Sequence, residues 1–172
     1  VLFGTETVEF WPNTGDPDLP FQPLEGRVIE RGIKATGCAT KYLETFAWVS
    51  NNGQVCVGAN ADVISNPGLD ARIWASPEPR LWTFNIGGME LLAMRTSTGT
   101  WVYSAGRWSK FETYGAPNWG VQCHARGYFG SSTDGVIYRL GSDNVDMGGV
   151  LERRFRAGLP LEAGGVTLNN LI

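Results

Sequence analysis

The sequence predicts an all-β fold, arranged as a β-propeller-like array of small antiparallel blades. Three observations carry this. Turn formers punctuate the whole chain, with 23 glycines and 9 prolines among 172 residues, so only short segments fit between them. Those segments are aromatic, with seven tryptophans, and such side chains suit pleated, half-buried surfaces. Finally, Gly53, Gly99 and Gly135 each follow an apolar strand and precede another, at separations of 46 and 36 residues. That is near the period of one several-stranded blade. A blade cannot bury both faces alone, so neighbours must pack around an axis. A β-sandwich with similar hairpins is the alternative.

Taken in order, Leu2 to Phe10 reads as one strand, because Thr5, Thr7 and Glu9 alternate with Glu6, Val8 and Phe10. Pro12-Asn13-Thr14-Gly15-Asp16 cannot continue a ladder and reads as a turn. Residues 16–26, with three prolines and a closing glycine, predict an ordered loop that Leu19 and Phe21 pin to the core. Val28-Ile29-Glu30 is a short strand, and Cys38 to Leu43 adds another. Thr45 to Ser50 and Gln54 to Val57 flank Asn51-Asn52-Gly53, a hairpin signal because Asn and Gly tolerate positive φ. Asp62 to Ser65 is a strand ended by Asn66-Pro67-Gly68. Arg72-Ile73-Trp74 and Leu81 to Phe84 bracket Ser76-Pro77-Glu78-Pro79.

A second hairpin joins Glu90–Arg95 to Thr100–Tyr103 through Ser97-Thr98-Gly99, and runs on through Ser104-Ala105-Gly106 into Arg107–Phe111. A last group comprises Val121–His124, Gly127–Gly130 and Val136–Leu140, with Ser131 to Gly135 as its turn. Val150–Arg156 is a further strand, and Val166 to Ile172 reads as another beginning. No stretch combines helical periodicity, caps and length; Arg153 to Leu161 comes nearest but holds Gly158 and Pro160. One all-β domain over residues 1–172 is expected, and the opening in mid-pattern reads as an excerpt from a longer chain.

Composition narrows the function classes. With a formal net charge of -3 and a pI near 5.2, the chain lacks the basic footprint of a phosphate-neutralising protein, so no direct nucleic-acid binding is expected. The densest basic run, Glu152-Arg153-Arg154-Phe155-Arg156, reads as protection of a strand edge. Cys38, Cys56 and Cys123 are odd in number and without CxxC spacing. They argue against a disulfide framework or zinc site, and read as buried small hydrophobes of a protein made in a reducing cytoplasm. No segment reaches the ~18 apolar residues of a membrane span.

Signs of catalysis are sparse. The single histidine, His124, adjoins Cys123, and neighbours on a strand point to opposite faces, so His124 reads as structural. Glu6 and Glu9 are placed on opposite faces of the first strand. Asp16 with Asp18, and Asp143 with Asp146, lie in turns where aspartate caps backbone N–H groups and outside any EF-hand pattern. Neither a metal, a cofactor nor a catalytic residue is assigned. Propellers also include glycan-cleaving enzymes, many with S-x-D-x-G-x-T-W turns. Ser97-Thr98-Gly99-Thr100-Trp101 lacks the aspartate of that pattern, and Ser132-Thr133-Asp134-Gly135 sets it beside the glycine. No arginine cluster for acidic sugars is visible from spacing. Five tryptophans (Trp48, Trp74, Trp82, Trp101, Trp108) fall in strands and read as core, while Trp119 is the one expected to be exposed.

Several of these pieces resemble the packaged-DNA stabilisation proteins, or tail accessory factors, of short-tailed phages. The opening Phe3-Gly4-Thr5, Val8-Glu9-Phe10-Trp11, Asn13-Thr14-Gly15-Asp16 and Leu19-Pro20-Phe21 is similar to the signature of that family. Gly32 to Cys38 and Phe46-Ala47-Trp48 with its Asn-Gly turn resemble its next blade. Thr100-Trp101-Val102-Tyr103 with Gly106 and Trp108 follows, then Tyr128, Gly130, Asp134-Gly135, Ile137-Tyr138, Asp146 and Gly148. Ser104 and Ser131 stand where aspartate is common, and Arg72 to Glu78 matches loosely. The resemblance implies a non-enzymatic virion protein of the tail or neck. It would assemble on the portal-tail machine and help to retain packaged DNA, with other phage tail or portal proteins as partners. A glycan- or receptor-binding tail module and a glycoside-cleaving propeller are the alternatives. Candidate binding residues are Trp119, Asp16, Leu19 and Phe21.

Overall fold

A computed structural model describes residues 1–116 and 118–141, and the backbone of 145–146 and 149–150. Among the described residues the chain is all-β apart from one short helix, and it forms several small antiparallel sheets. Strands β1 (Leu2–Phe3), β2 (Val8–Glu9) and β3 (Val28–Ile29) make the first sheet, in that order. The second sheet has four strands: β4 (Ala39–Tyr42), β5 (Thr45–Val49), β6 (Val55–Val57) and β7 (Asp62–Val63). Helix α1 (Pro67–Trp74) leads to the third sheet, also four-stranded: β8 (Arg80–Ile86), β9 (Met89–Thr96), β10 (Gly99–Ser104) and β11 (Arg107–Phe111). The fourth contains β12 (Val121–Ala125), β13 (Tyr128–Ser131) and β14 (Ile137–Arg139), and a last pair joins β15 (Val145–Asp146) to β16 (Gly149–Val150). The predicted strand at Val150–Arg156, apart from Val150 in β16, the strand at Val166–Ile172, the near-helical stretch Arg153–Leu161 and the arginines at 153, 154 and 156 lie outside the described residues.

Strands adjacent in sequence are neighbours in every sheet, and the first strands pack side by side, β4 on β8 and β8 on β12. The sheets are therefore layered like blades. Period-two alternation then gives each middle blade two apolar faces. In the second sheet, Trp48 faces Val8 and Cys56 beneath the first sheet, while Ala47 and Val49 face the third. In the third sheet, Leu81, Leu92 and Met94 face the second, while Trp82, Phe84, Leu91 and Ala93 face the fourth.

The turns between second and third strands repeat a design. Each second strand ends in a buried hydroxyl, Ser50, Thr96 or Ser131. Ser50 Oγ donates to Gln54 O (3.0 Å), Thr96 Oγ1 accepts from Thr98 N–H (3.3 Å), and Ser131 Oγ accepts from Thr133 N–H (3.1 Å). The next residue ties the turn to the link preceding its own sheet. Asn51 N–H donates to Gly32 O (2.8 Å), Ser97 N–H to Ser76 Oγ (3.1 Å), and Ser132 N–H to Gly120 O (2.9 Å). The three sheets thus share a buried hydroxyl at this turn and a tie from the next residue, although Ser50 bonds four residues on and Thr96 and Ser131 two.

Two expectations are corrected. The opening is a hairpin, not one strand: Leu2 pairs with Glu9 and Phe3 with Val8, and Gly4 N–H closes the turn on Thr7 O at 2.8 Å. Glu6 therefore lies in a turn. Arg72-Ile73-Trp74 is helical, not a strand. Asn66 is the N-cap, its side chain accepting from Leu69 N–H at 3.0 Å, and Pro67 follows at the start, where its missing N–H costs nothing. The buried Leu69 and Ile73 are four apart, so both face the core. Asn-Pro-Gly is thus a helix start here, a sequence that serves equally as a turn.

Candidate functional site

The most prominent surface feature is the long connection between β2 and β3. Its root is fixed at Phe10, which lies 6.0 Å from the Phe46 ring and 5.0 Å beneath the Arg27 guanidinium. Leu24 N–H donates to Phe10 O at 2.8 Å, closing the base. Further out, Asn13 bridges Phe21 and Thr14 N–H donates to Pro20 O at 2.8 Å. Asn13 Oδ1 accepts from Gly15 N–H (2.8 Å), and Asp16 Oδ1 accepts from the N–H groups of Asp18 (2.8 Å) and Leu19 (3.1 Å). Asp16 thus caps its own turn, as its residue type suggests. The backbone is satisfied without a core beneath it.

Leu19 and Phe21 do not pin this loop down. They are 63% and 56% exposed, and Leu24 is 43% exposed. The loop is held by its own hydrogen bonds and by Phe10, which leaves apolar side chains from its tip (Leu19, Phe21) to its base (Leu24) in water. Three such side chains on one ordered loop, beside the carboxylates of Asp16 and Asp18, form a surface suited to a partner.

Trp119 stands elsewhere and is not exposed as expected. It is half-buried between the third and fourth sheets, stacked on Trp82 at 6.3 Å and in contact with Phe84, Phe111 and Phe129. The exposed tryptophan is Trp74, at 63%. Sequence reading placed Trp74 in a strand and so in the core; at the end of α1 it points outward, with Lys34 Nζ 4.7 Å over its ring. Asp16, Leu19 and Phe21 are brought together, and Trp119 is not among them.

His124 sits in β12 with its ring 4.8 Å from Phe129, and its Nε2 accepts from Gly127 N–H at 3.1 Å. That is a structural role. Cys38 and Cys56 are buried as expected, but Cys123 is exposed, because β12 shifts register between Val121 and Cys123 and so turns Cys123 off the face that buries Val121. Burial pushes the Cys38 thiol up to about 11, and its Sγ donates to Pro79 O at 2.9 Å. Asp134 is held below its ordinary range by hydrogen bonds from Ser131 and Val136; it accepts from Val136 N–H at 3.0 Å and from Tyr138 Oη at 3.0 Å, so it serves the turn. Among the described residues no three His, Cys, Asp or Glu side chains are grouped to hold a metal ion, and no helix is long and apolar enough to cross a membrane. Asp143 lies outside the described residues.

Among the described residues three recesses flank the sheets, one of about 620 Å³ being lined by Glu6, Asn51, Asn52 and the exposed Trp74. An apolar one of about 510 Å³ opens between β1 and the second sheet, lined by Phe3, Ala39 and Phe46 among others. A polar one of about 250 Å³ lies between the third and fourth sheets and includes Arg80, Arg95, Ser97, Asn118 and Gln122. Spacing did not reveal the two arginines as neighbours, since register alone sets Arg80 opposite Arg95.

No curated protein matches the chain. Residues 1–75, which carry the protruding loop, the first four-stranded sheet and α1, match the family described as "Bacteriophage P22 Gp10, beta-propeller", so this part of the chain is similar to a phage stabilisation protein.

Proposed function

We propose that this chain is a virion assembly module of a phage or prophage tail or neck, acting through protein–protein contacts to help retain packaged DNA. The observation that carries the reading is the family match over residues 1–75, because the loop with Leu19, Phe21 and Leu24 exposed falls inside it. Apolar anchors ringed by polar groups are the ordinary make-up of an assembly surface. The contact surface is the tip of the loop, with Leu19 and Phe21 as anchors and Asp16 holding the turn that presents them. Its partner is another tail or portal protein. Retention of DNA is then mechanical closure of a channel and needs no contact with DNA, in keeping with the net charge of -3. The protein has no catalytic role in this reading.

The test is to induce prophage in the source cells, purify the particles and label them with gold-conjugated antibody against this domain. Label at the portal vertex or tail of most DNA-filled particles is expected. A Leu19→Asp/Phe21→Asp variant should keep its melting temperature, since both side chains are already in water, and be missing from particles. Particles without the wild-type protein would overturn the reading. A glycan array, with Trp74→Ala as its control, then addresses the glycan-binding alternative, because Trp119 is not free to stack on a sugar.

A further inference from the structure

We infer that the polar recess between the third and fourth sheets is a binding site for a single carboxylate, supplied by an acidic side chain of a partner polypeptide. The inference is independent of the loop surface and of the family match, which ends at residue 75.

Arg80 on β8 and Arg95 on β9 are directly opposed in the ladder. Directly opposed residues share a face, so two guanidinium groups stand side by side, an arrangement that repels unless an anion joins them. The rows below this one on the same face are apolar: Trp82 opposes Ala93 and Phe84 opposes Leu91. The arginines thus cap the hydrophobic interface between two blades. Among the described residues neither makes an ion pair; the pair seen is Lys110 with Glu112. Glu78 lines the same recess but is exposed and engages neither arginine.

Arg95 spends one donor, Nη1, on Val121 O at 3.3 Å. Among the described residues its other donors, and the whole Arg80 fork, have no hydrogen-bond partner. Partial burial and the nearby Arg80 charge both lower the Arg95 pKa from its ordinary value, a sign that the two charges feel each other. The row continues into Thr100, which opposes Arg95, is fully buried, and has a hydroxyl without a hydrogen-bond partner among the described residues. On the facing wall, Asn118 lines the recess, and its side-chain oxygen is buried, again without a partner among the described residues. Turned over, that amide presents N–H donors instead. An incoming carboxylate would accept from both guanidinium forks, the planar recognition for which arginine is suited.

The recess favours an acidic side chain over an acidic sugar for two reasons. Its volume of about 250 Å³ suits a side chain. Its walls also offer no aromatic face, because Trp82 and Trp119 stack on each other inside the core.

The experiment is titration of the whole chain with N-acetyl-glutamate amide, followed by the arginine side-chain Nε–Hε signals in NMR. Saturable shifts of the Arg80 and Arg95 signals are expected at millimolar probe, with none from the uncharged N-acetyl-glutamine amide. Arg80→Gln, at an exposed position, should weaken binding roughly tenfold or more, the loss of a charged hydrogen-bonding partner. It should also raise the melting temperature without ligand, because it removes a like-charge neighbour; a purely structural Arg80 would give a fall. Arg80→Lys keeps the charge but loses the fork and should bind with intermediate strength. Inorganic phosphate and N-acetylneuraminate are the comparison probes. Tighter saturation by phosphate overturns the carboxylate assignment, and tighter saturation by the sugar acid overturns the polypeptide source. Shifts that never saturate, or that persist unchanged in Arg80→Gln, overturn the site.

Discussion

Gly32→Ala should uncouple the opening hairpin from the second sheet. A Cβ at Gly32 would lie 2.0 Å from Thr5 O, 2.1 Å from Thr5 C and 2.4 Å from Glu6 N. All three are backbone atoms, so no side-chain rotation relieves the overlap and the β1–β2 turn must move away. Two hydrogen bonds hold that turn where it is, and a third holds Gly32 to the second sheet. Ile33 N–H donates to Gly4 O (2.8 Å) and Asn51 N–H to Gly32 O (2.8 Å), while Asn51 Nδ2 donates to Thr5 O (3.1 Å). At about 1 kcal/mol net for each bond, losing the two that reach the turn costs about 2 kcal/mol. That lies within the cost of overpacking, about 1–3 kcal/mol. For a chain of this size the melting temperature should fall by about 4–8 °C. Gly15→Ala is the comparison. Gly15 has φ +77° but nothing within 4 Å of the added carbon, so it should cost only about 1 kcal/mol. The assays are thermal melting by tryptophan fluorescence, since Trp48 is buried under the first sheet, and hydrogen exchange. The amides of Ile33 and Asn51 should lose protection first. If Gly32→Ala melts within a degree or two of wild type, with both amides still protected, the packing argument is wrong.

Three other outcomes follow from the same structure. Cys38 keeps its proton to about pH 11 when folded against an ordinary 9.0, so between those values the folded state binds more protons than the unfolded state. Stability should therefore fall as pH rises from 9 toward 11, by about 2 kcal/mol, and denaturant melts of Cys38→Ala should show a shallower decline. Asn66→Ala removes the cap that receives Leu69 N–H and should cost about 1 kcal/mol, seen as a lower denaturation midpoint with unchanged slope. Trp119→Ala opens a void among Trp82, Phe84, Phe111 and Phe129 and should cost about 3 kcal/mol or more; a glycan-contacting tryptophan would instead leave the melting curve unmoved.

The sequence made the strand pairs legible where alternation and turn chemistry agree. Ala105-Gly106 shows this: both residues have positive φ (48° and 80°), and Ser104 pairs with Arg107 across them, the two-residue geometry that twisted strands prefer. Legibility failed where one residue pattern serves two backbones. Asn66-Pro67-Gly68 is as good a turn as a helix start, and only the burial of Leu69 and Ile73 decides for the helix. Leu19 and Phe21 were read as anchors because apolar side chains usually seek a core. The hydrogen bonds from Thr14 and Asp16 that support the loop without one are not visible in residue types. Trp119 erred the other way: a neighbourhood of Pro, Asn and Gly reads as an exposed loop, yet long-range packing against Phe84 claims the ring. Arg80 and Arg95 are fifteen residues apart in sequence, and nothing short of strand register puts them together.

The blade period itself was detected through an indirect mark. Gly53 is a turn residue with φ +81°, but Gly99 is not in its turn; it opens β10, opposite Thr96. Its missing side chain makes room for Trp101 and Lys110, whose atoms would stand 3.1 Å from a Cβ there. Gly135 repeats the role of Gly53, a left-handed turn residue with φ +72° beside the Asp134 cap. Two of the three glycines thus share a backbone cause and Gly99 has a packing one, while the hydroxyls of Ser50, Thr96 and Ser131 all serve their own turns. Each is buried, where an unpaired polar atom costs free energy, and each is paired to the backbone of its own turn. A buried hydroxyl cannot be exchanged for an apolar residue without stranding the turn groups that rely on it. Gly53 and Gly99 are buried as well, and a Cβ there would press on Trp74 or Trp101. The repeat is therefore held at two positions of each turn, a hydroxyl that satisfies the backbone and a glycine that leaves it room.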